Sequence, residues 1–271
     1  MKLKTRNILF TILMFISLLS FVGYAIFFGV KLYNSSLALP LNIPSSYLKG
    51  FFLTDCNIYA VVISLFLLLI YVFIFLVCIN VEFEKTQSTE IIYFVLFLFS
   101  AFMEHHRLLT PFLNLWENVS ILEIFITKTL IFARTAAALS LLFSVIYSTS
   151  ENRQYTERTI IGILVFSLFV AKITPVNTNV ILPIGAFRIS FGKMIYIMLL
   201  IVFIVAIISL AIKTAQTHID SKLLTGFTLL IIGYFIMIQS FCILTLALGS
   251  ILLFLGTYIY LKALHKQYLW N

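Results

Sequence analysis

The stretch "VVISLFLLLIYVFIFLVCI", Val61 to Ile79, holds nineteen consecutive residues without a charge, a proline or a glycine. A helix rises ~1.5 Å per residue, so about 20 such residues cross a hydrocarbon core ~30 Å thick. Lipid offers the backbone no hydrogen-bond partners, which leaves two spanning solutions, the α-helix and the closed β-barrel. A barrel strand alternates polar and apolar side chains, and this stretch does not. The run therefore predicts a transmembrane helix. The fold class that follows is an all-α polytopic bundle.

Outward from that stretch the same pattern repeats. Apolar runs lie at Ile8–Val30, Asn57–Val81, Ile91–Leu109, Ile121–Tyr147, Thr159–Ala171, Met194–Ile212, Leu223–Ile238 and Phe241–Leu261, giving about eight expected spans. The last two are nearly continuous over 39 residues. One helix of that length would reach ~58 Å, twice the hydrocarbon core, so a hairpin turning near Gln239–Ser240 is expected instead. Gly226 and Gly233 are seven apart, as are Gly249 and Gly256, so each pair shares a helix face on which another helix can approach closely. The first run follows Lys2, Lys4 and Arg6 and is about 23 residues long, beyond the ~7–15 of a cleaved signal core. Residues 8–30 read as an uncleaved signal anchor.

Composition agrees: 62% of the 271 residues are apolar and 10% charged, with mean hydropathy +1.12. The net charge of +8 suits basic residues flanking membrane helices, and nucleic acid is not an expected partner. Three basic residues precede the first span and Lys31 follows it, which predicts an inward N-terminus; eight spans then place both termini in the cytoplasm. All five prolines fall in expected outer segments. No connection is long enough for a soluble domain, so 1–271 reads as a single integral membrane domain. Cys56, Cys78 and Cys242 show no metal-ligand spacing; Cys56 and Cys242 share the expected outer face, and free apolar thiols are the favoured state.

The informative exception is "SAFMEHHRLLTPFLNLWENVS", Ser100 to Ser120, where Glu104, His105, His106 and Arg107 close an apolar run. Counted from Glu90, Glu104 lies 14 residues, ~21 Å, along its helix. Arg134, counted back from Ser148, and Lys172, counted from Arg158, reach the same depth. Lys128 lies a turn and a half further out. Pro111 is expected to end the third span at or before Thr110. Glu104 and Arg107 share a helix face, whereas His105 and His106 should diverge by ~100° and so cannot easily close on one metal ion.

A charge at membrane depth costs at least ~2.5–3.5 kcal/mol unless it meets a partner or water. Two readings follow. Glu104, His105, Arg107, Lys128, Arg134 and Lys172 line an outward-facing cavity for a small anionic ligand, since guanidinium suits carboxylate or phosphate. Alternatively Glu104 and Arg134 clamp two helices while Arg107, Lys128 and Lys172 snorkel to headgroups. No HExxH, CxxC or P-loop spacing occurs, and "GAFRISFGK" (Gly185 to Lys193) lacks the P-loop pattern. No metal, cofactor or catalytic residue is expected. The expected function is a non-enzymatic ligand-binding or sensory module of the cytoplasmic membrane, multi-pass in the bilayer and acting through a membrane or cytoplasmic protein partner. The alternative is a small transporter or permease subunit, toward which the echo between "RLLTP" (Arg107 to Pro111) and "KITP" (Lys172 to Pro175) points.

Overall fold

The computed structural model describes residues 3–34, 57–86, 88–115, 120–147, 156–182, 184–217 and 221–269. Cys56, Pro40, Pro44 and Pro183 lie outside the described residues. The helices are α1 (Leu3–Tyr33), α2 (Ile58–Glu82), α3 (Thr89–Met103), the one-turn α4 (Leu109–Phe112), α5 (Ile121–Ile146), α6 (Thr156–Ile173), α7 (Gly192–Thr217), α8 (Ser221–Ile238) and α9 (Ile243–Leu269). A 3₁₀ segment, Glu104–Leu108, joins α3 to α4, and strands β1 (Val176–Leu182) and β2 (Ala186–Ile189) form an antiparallel hairpin between α6 and α7.

The chain is an all-α bundle in which seven helices are long and apolar enough to cross a membrane. They are Leu3–Tyr33, Tyr59–Glu82, Thr89–Phe112, Ile121–Ile146, Gly192–Gln216, Ser221–Ile238 and Ile243–Tyr268. Sequence patterning had suggested eight spans. The difference is α6, whose 18 residues carry Glu157, Arg158 and Lys172. Burial separates the layers: 78% of the apolar window of α3 is buried against 17% for α1. Thus α3, followed by α5, occupies the centre, and α1, α7 and α9 are peripheral with broad apolar faces outward.

Polar contacts fix the two ends of the bundle. At one end Arg6 donates to the carbonyls of Phe83 (2.8 Å), Glu84 (3.0 Å) and Thr86, gathering the start of α1 onto the α2–α3 connection. At the same end Tyr268 donates to Glu90, and Lys213 Nζ lies 3.9 Å from the same carboxylate. The Thr89 hydroxyl donates to Tyr147 O (3.0 Å), placing the end of α5 there too. At the opposite end the N–H of Asn57 donates to Phe241 O (3.0 Å), joining the start of α2 to the α8–α9 turn.

The hairpin of α8 and α9 turns at residues 239–242, where the apolar run was too long for one helix. Its packing explains the glycines. A Cβ on Gly233 would sit 2.3 Å from Leu253 N, and one on Gly256 2.3 Å from Leu230 N. Gly226 would meet Tyr260 N at 2.5 Å, and Gly249 would meet Met237 N at 3.1 Å. The two backbones touch, which only small residues permit.

Two local features depart from the sequence reading. Pro111 does not stop the helix at Thr110; the chain tightens to 3₁₀ at Glu104 and restarts as α4, so Pro111 falls within a first turn. There its missing N–H removes no needed bond. The segment around "GAFRISFGK" is the second strand of a hairpin and the start of α7, not an irregular connection. Gly185 makes this possible: its φ is +77°, and a Cβ would lie 3.2 Å from Arg107 O.

Candidate functional site

The site is built on the departure of α3 from regular α geometry. In a 3₁₀ turn residues i and i+3 eclipse, so Glu104 and Arg107 stand one above the other. Arg107 Nη1 donates to Glu104 Oε2 at 3.0 Å. The other carboxylate oxygen, Oε1, accepts from Arg134 Nε of α5 at 2.9 Å. Glu104, Arg107 and Arg134 are 0%, 1% and 2% exposed. One carboxylate between two guanidiniums leaves this buried cluster with one formal positive charge.

The remaining donors reach backbone and phenol. Arg134 Nη2 donates to Ile238 O at 2.9 Å, and Arg107 Nη1 also points at that oxygen at 3.3 Å. Ile238 is the last residue of α8, so its carbonyl has no partner within the helix, and two cations meet the negative end of the helix dipole. Arg107 Nε donates to Ile184 O at 2.8 Å, and the Thr110 hydroxyl donates to Gly185 O at 3.0 Å, docking the β-hairpin. Phe187 N donates to the Thr127 hydroxyl at 3.0 Å, which fastens the hairpin to α5. Arg134 Nη1 donates to the Tyr196 hydroxyl of α7 at 2.6 Å, with the guanidinium 5.7 Å from that ring's centroid. One ion cluster thereby holds α3, α5, α7, α8 and the hairpin.

Satisfaction is incomplete. Among the described residues, Arg107 Nη2, the Tyr234 hydroxyl and the Ser240 hydroxyl are buried and find no hydrogen-bond partner. Tyr234 lies one turn before Ile238 and Ser240 two residues after it, so all three orphans surround the capped end of α8. Elsewhere Glu123, in the first turn of α5, is fully buried with both carboxylate oxygens unpartnered.

Tyr196 has a second environment. It lines a cavity of about 670 Å³ between the hairpin and the start of α7, with Arg188, Ser190 and Lys193 on its polar side and Val180 and Leu182 among its apolar walls. Arg188 and Lys193 are exposed, and neither forms an ion pair among the described residues. The Tyr196 hydroxyl is the link between this open cavity and the buried cluster.

Of the residues singled out by sequence, the structure brings Glu104, Arg107 and Arg134 together. Lys128 and Lys172 stand apart from them: Lys128 Nζ donates to Lys172 O (3.1 Å) and Thr174 O, tying α5 to the end of α6, while Lys172 is exposed. Equal depth did not mean a shared side, because α6 packs on another face of α5. His105 is buried against Tyr24 and Phe102, its Nδ1 bonded to Phe102 O. His105 and His106 do not diverge as regular α geometry requires; their rings lie 4.3 Å apart at 36°. The described residues contain no group of three or more metal-ligating side chains. Tyr196, Tyr234 and Ser240 were missed by sequence reasoning. A tyrosine in an apolar run is usually packing, and only its polar tip, which seeks a partner when buried, hinted otherwise. Neither a protein-family model, nor a curated protein, nor a solved structure matches this chain.

Proposed function

We propose that the chain is a non-enzymatic, multi-pass protein of the cytoplasmic membrane that recognises a small anion on its outer side and acts through a protein partner. One observation carries the reading: the Arg134–Tyr196 hydrogen bond joins a buried cluster of net positive charge to an open cavity bearing two unpaired cations. Anions are drawn to such a cavity, and an occupant touching Tyr196 acts on one bond of the cluster that holds five elements together. That is a route from binding to a change in bundle packing, which a partner can read.

The topology in this proposal has eight crossings with both termini inside. It is supported by α6 running beside α5 from the connection after Ile146 back to Lys128, so that the two helices traverse similar depth. It is also supported by the start of α1 and the end of α9 lying at one end of the bundle.

The test is thermal unfolding of purified protein in detergent against phosphate, sulfate, glycerol phosphate and small dicarboxylates. A ligand at a hundred times its Kd stabilises by about 2.7 kcal/mol, a shift of several degrees. Wild type should respond to at least one anion and Arg188→Gln/Lys193→Gln should not. Equal responses in both proteins, or none in either, would overturn the reading. Transport remains the second reading because α3 carries buried carboxylates at both ends, Glu90 and Glu104, 14 residues and ~21 Å apart. Anion flux into proteoliposomes would favour it.

A further inference from the structure

We infer that the cavity between the β-hairpin and α7 receives the phosphate headgroup of an anionic phospholipid, whose acyl chain lies along α7. This rests on the anion site proposed above and names its occupant. The polar lining of the cavity suits a phosphate ester: a guanidinium fork from Arg188, an ammonium from Lys193 and the Ser190 hydroxyl supply donors. The other walls are apolar, with Val180, Leu182 and Met194 among them, and a free inorganic anion would leave them bare.

The apolar wall does not end at the cavity. Met194 opens a row of exposed apolar side chains on α7 that continues through Ile197, Ile201, Ile204 and Ile208. Spacings of three and four keep these residues on one helix face. The row covers 15 residues and rises ~21 Å, which exceeds the ~15 Å depth of one leaflet's hydrocarbon. Two unpaired cations and a hydroxyl at the head of a leaflet-long apolar stripe match an amphiphile with one phosphate. Generic snorkelling would account for the cations but not for a 670 Å³ cavity beside them. Tyr196 at the cavity wall then makes lipid occupancy felt at Arg134.

Native mass spectrometry of the delipidated full chain, titrated with phosphatidylglycerol or phosphatidylcholine, tests this. Wild type should bind one phosphatidylglycerol about thirtyfold more tightly than phosphatidylcholine, the scale expected for two cations near a headgroup. Arg188→Gln/Lys193→Gln should lose that preference. Lys222→Gln/Lys262→Gln, which removes two exposed cations elsewhere, should keep it. Equal loss in both double variants would reduce the effect to surface charge and overturn the assignment. Displacement of the lipid by an equimolar concentration of glycerol phosphate would mean that the acyl chain adds nothing, make a soluble phosphate the occupant and also overturn it. If phosphatidylglycerol shows no preference while soluble anions still raise the melting temperature, the anion site stands and only its lipid occupant falls; if both fail, both readings fall.

Discussion

Glu104→Gln is the substitution that tests the ion cluster most directly, because among the described residues Glu104 is the carboxylate that pairs with both Arg107 and Arg134. Glutamine keeps the shape and one acceptor oxygen but removes the charge, so two guanidiniums at 1% and 2% exposure face each other uncompensated. Removing one partner of a buried pair costs ~3–5 kcal/mol. Counting bonds gives a similar figure, since the carboxylate accepts two charge-assisted hydrogen bonds worth ~1.5–3 kcal/mol each. Arg134→Met is different in kind. It leaves Glu104 and Arg107 as a neutral pair and removes the bonds to Tyr196 and to Ile238 O, where Arg107 still donates. With the bond to Glu104 also lost, three charge-assisted bonds go but no like charges are left facing each other, so its expected cost is of the same order as that of Glu104→Gln. The double variant leaves a single guanidinium with carbonyl partners and should cost clearly less than the two single variants added together. Thermal and denaturant unfolding of the four proteins in one detergent measures the cycle. Single-variant costs that add within ~0.5 kcal/mol in the double variant would refute the shared-carboxylate account.

Gly233→Ala and Gly256→Ala should each lower stability by ~1–3 kcal/mol through overpacking, whereas Gly23→Ala and Gly162→Ala, with nothing within 4 Å of the added carbon, should be neutral or gain up to ~1 kcal/mol; melting temperatures decide it. Tyr196→Phe should remove a hydrogen bond to a charged group, worth ~1.5–3 kcal/mol, and should also blunt the melting response to anions, which a purely structural loss would leave in place. In a background lacking Cys56, Cys78 and Cys242, a cysteine substituted at the exposed Lys172 should react readily with an impermeant maleimide and one at the buried Arg107 far more slowly; equal rates would mean that position 107 opens to water. Reporter fusions at Asn271 should read cytoplasmic and at Asn179 external; an internal Asn179 together with an external Asn271 would leave seven crossings and remove α6 from the membrane.

Long uncharged runs determine that the chain is helical and membrane-embedded, because lipid punishes any other backbone at that depth and a local stretch such as Val61 to Ile79 carries the whole argument. The α8–α9 turn and the glycine faces were legible for the same reason: helix length and periodicity are properties of one segment. Depth along a helix was legible too, and it put Glu104 and Arg134 at one level. Azimuth was not. Whether Lys172 joins them depends on which face of α5 receives α6, and that is settled by the packing of side chains from several helices at once. The 3₁₀ turn that stacks Glu104 over Arg107 lies where Arg107 and Thr110 meet the hairpin carbonyls of Ile184 and Gly185, although the contacting residues are 75 to 77 positions apart in the chain. The cavity beside Tyr196 exists only because a β-hairpin folds over the start of α7, and no local pattern in either segment encodes the space between them. Local hydropathy determined the solvent of this protein; contacts across the bundle decided where its charges meet.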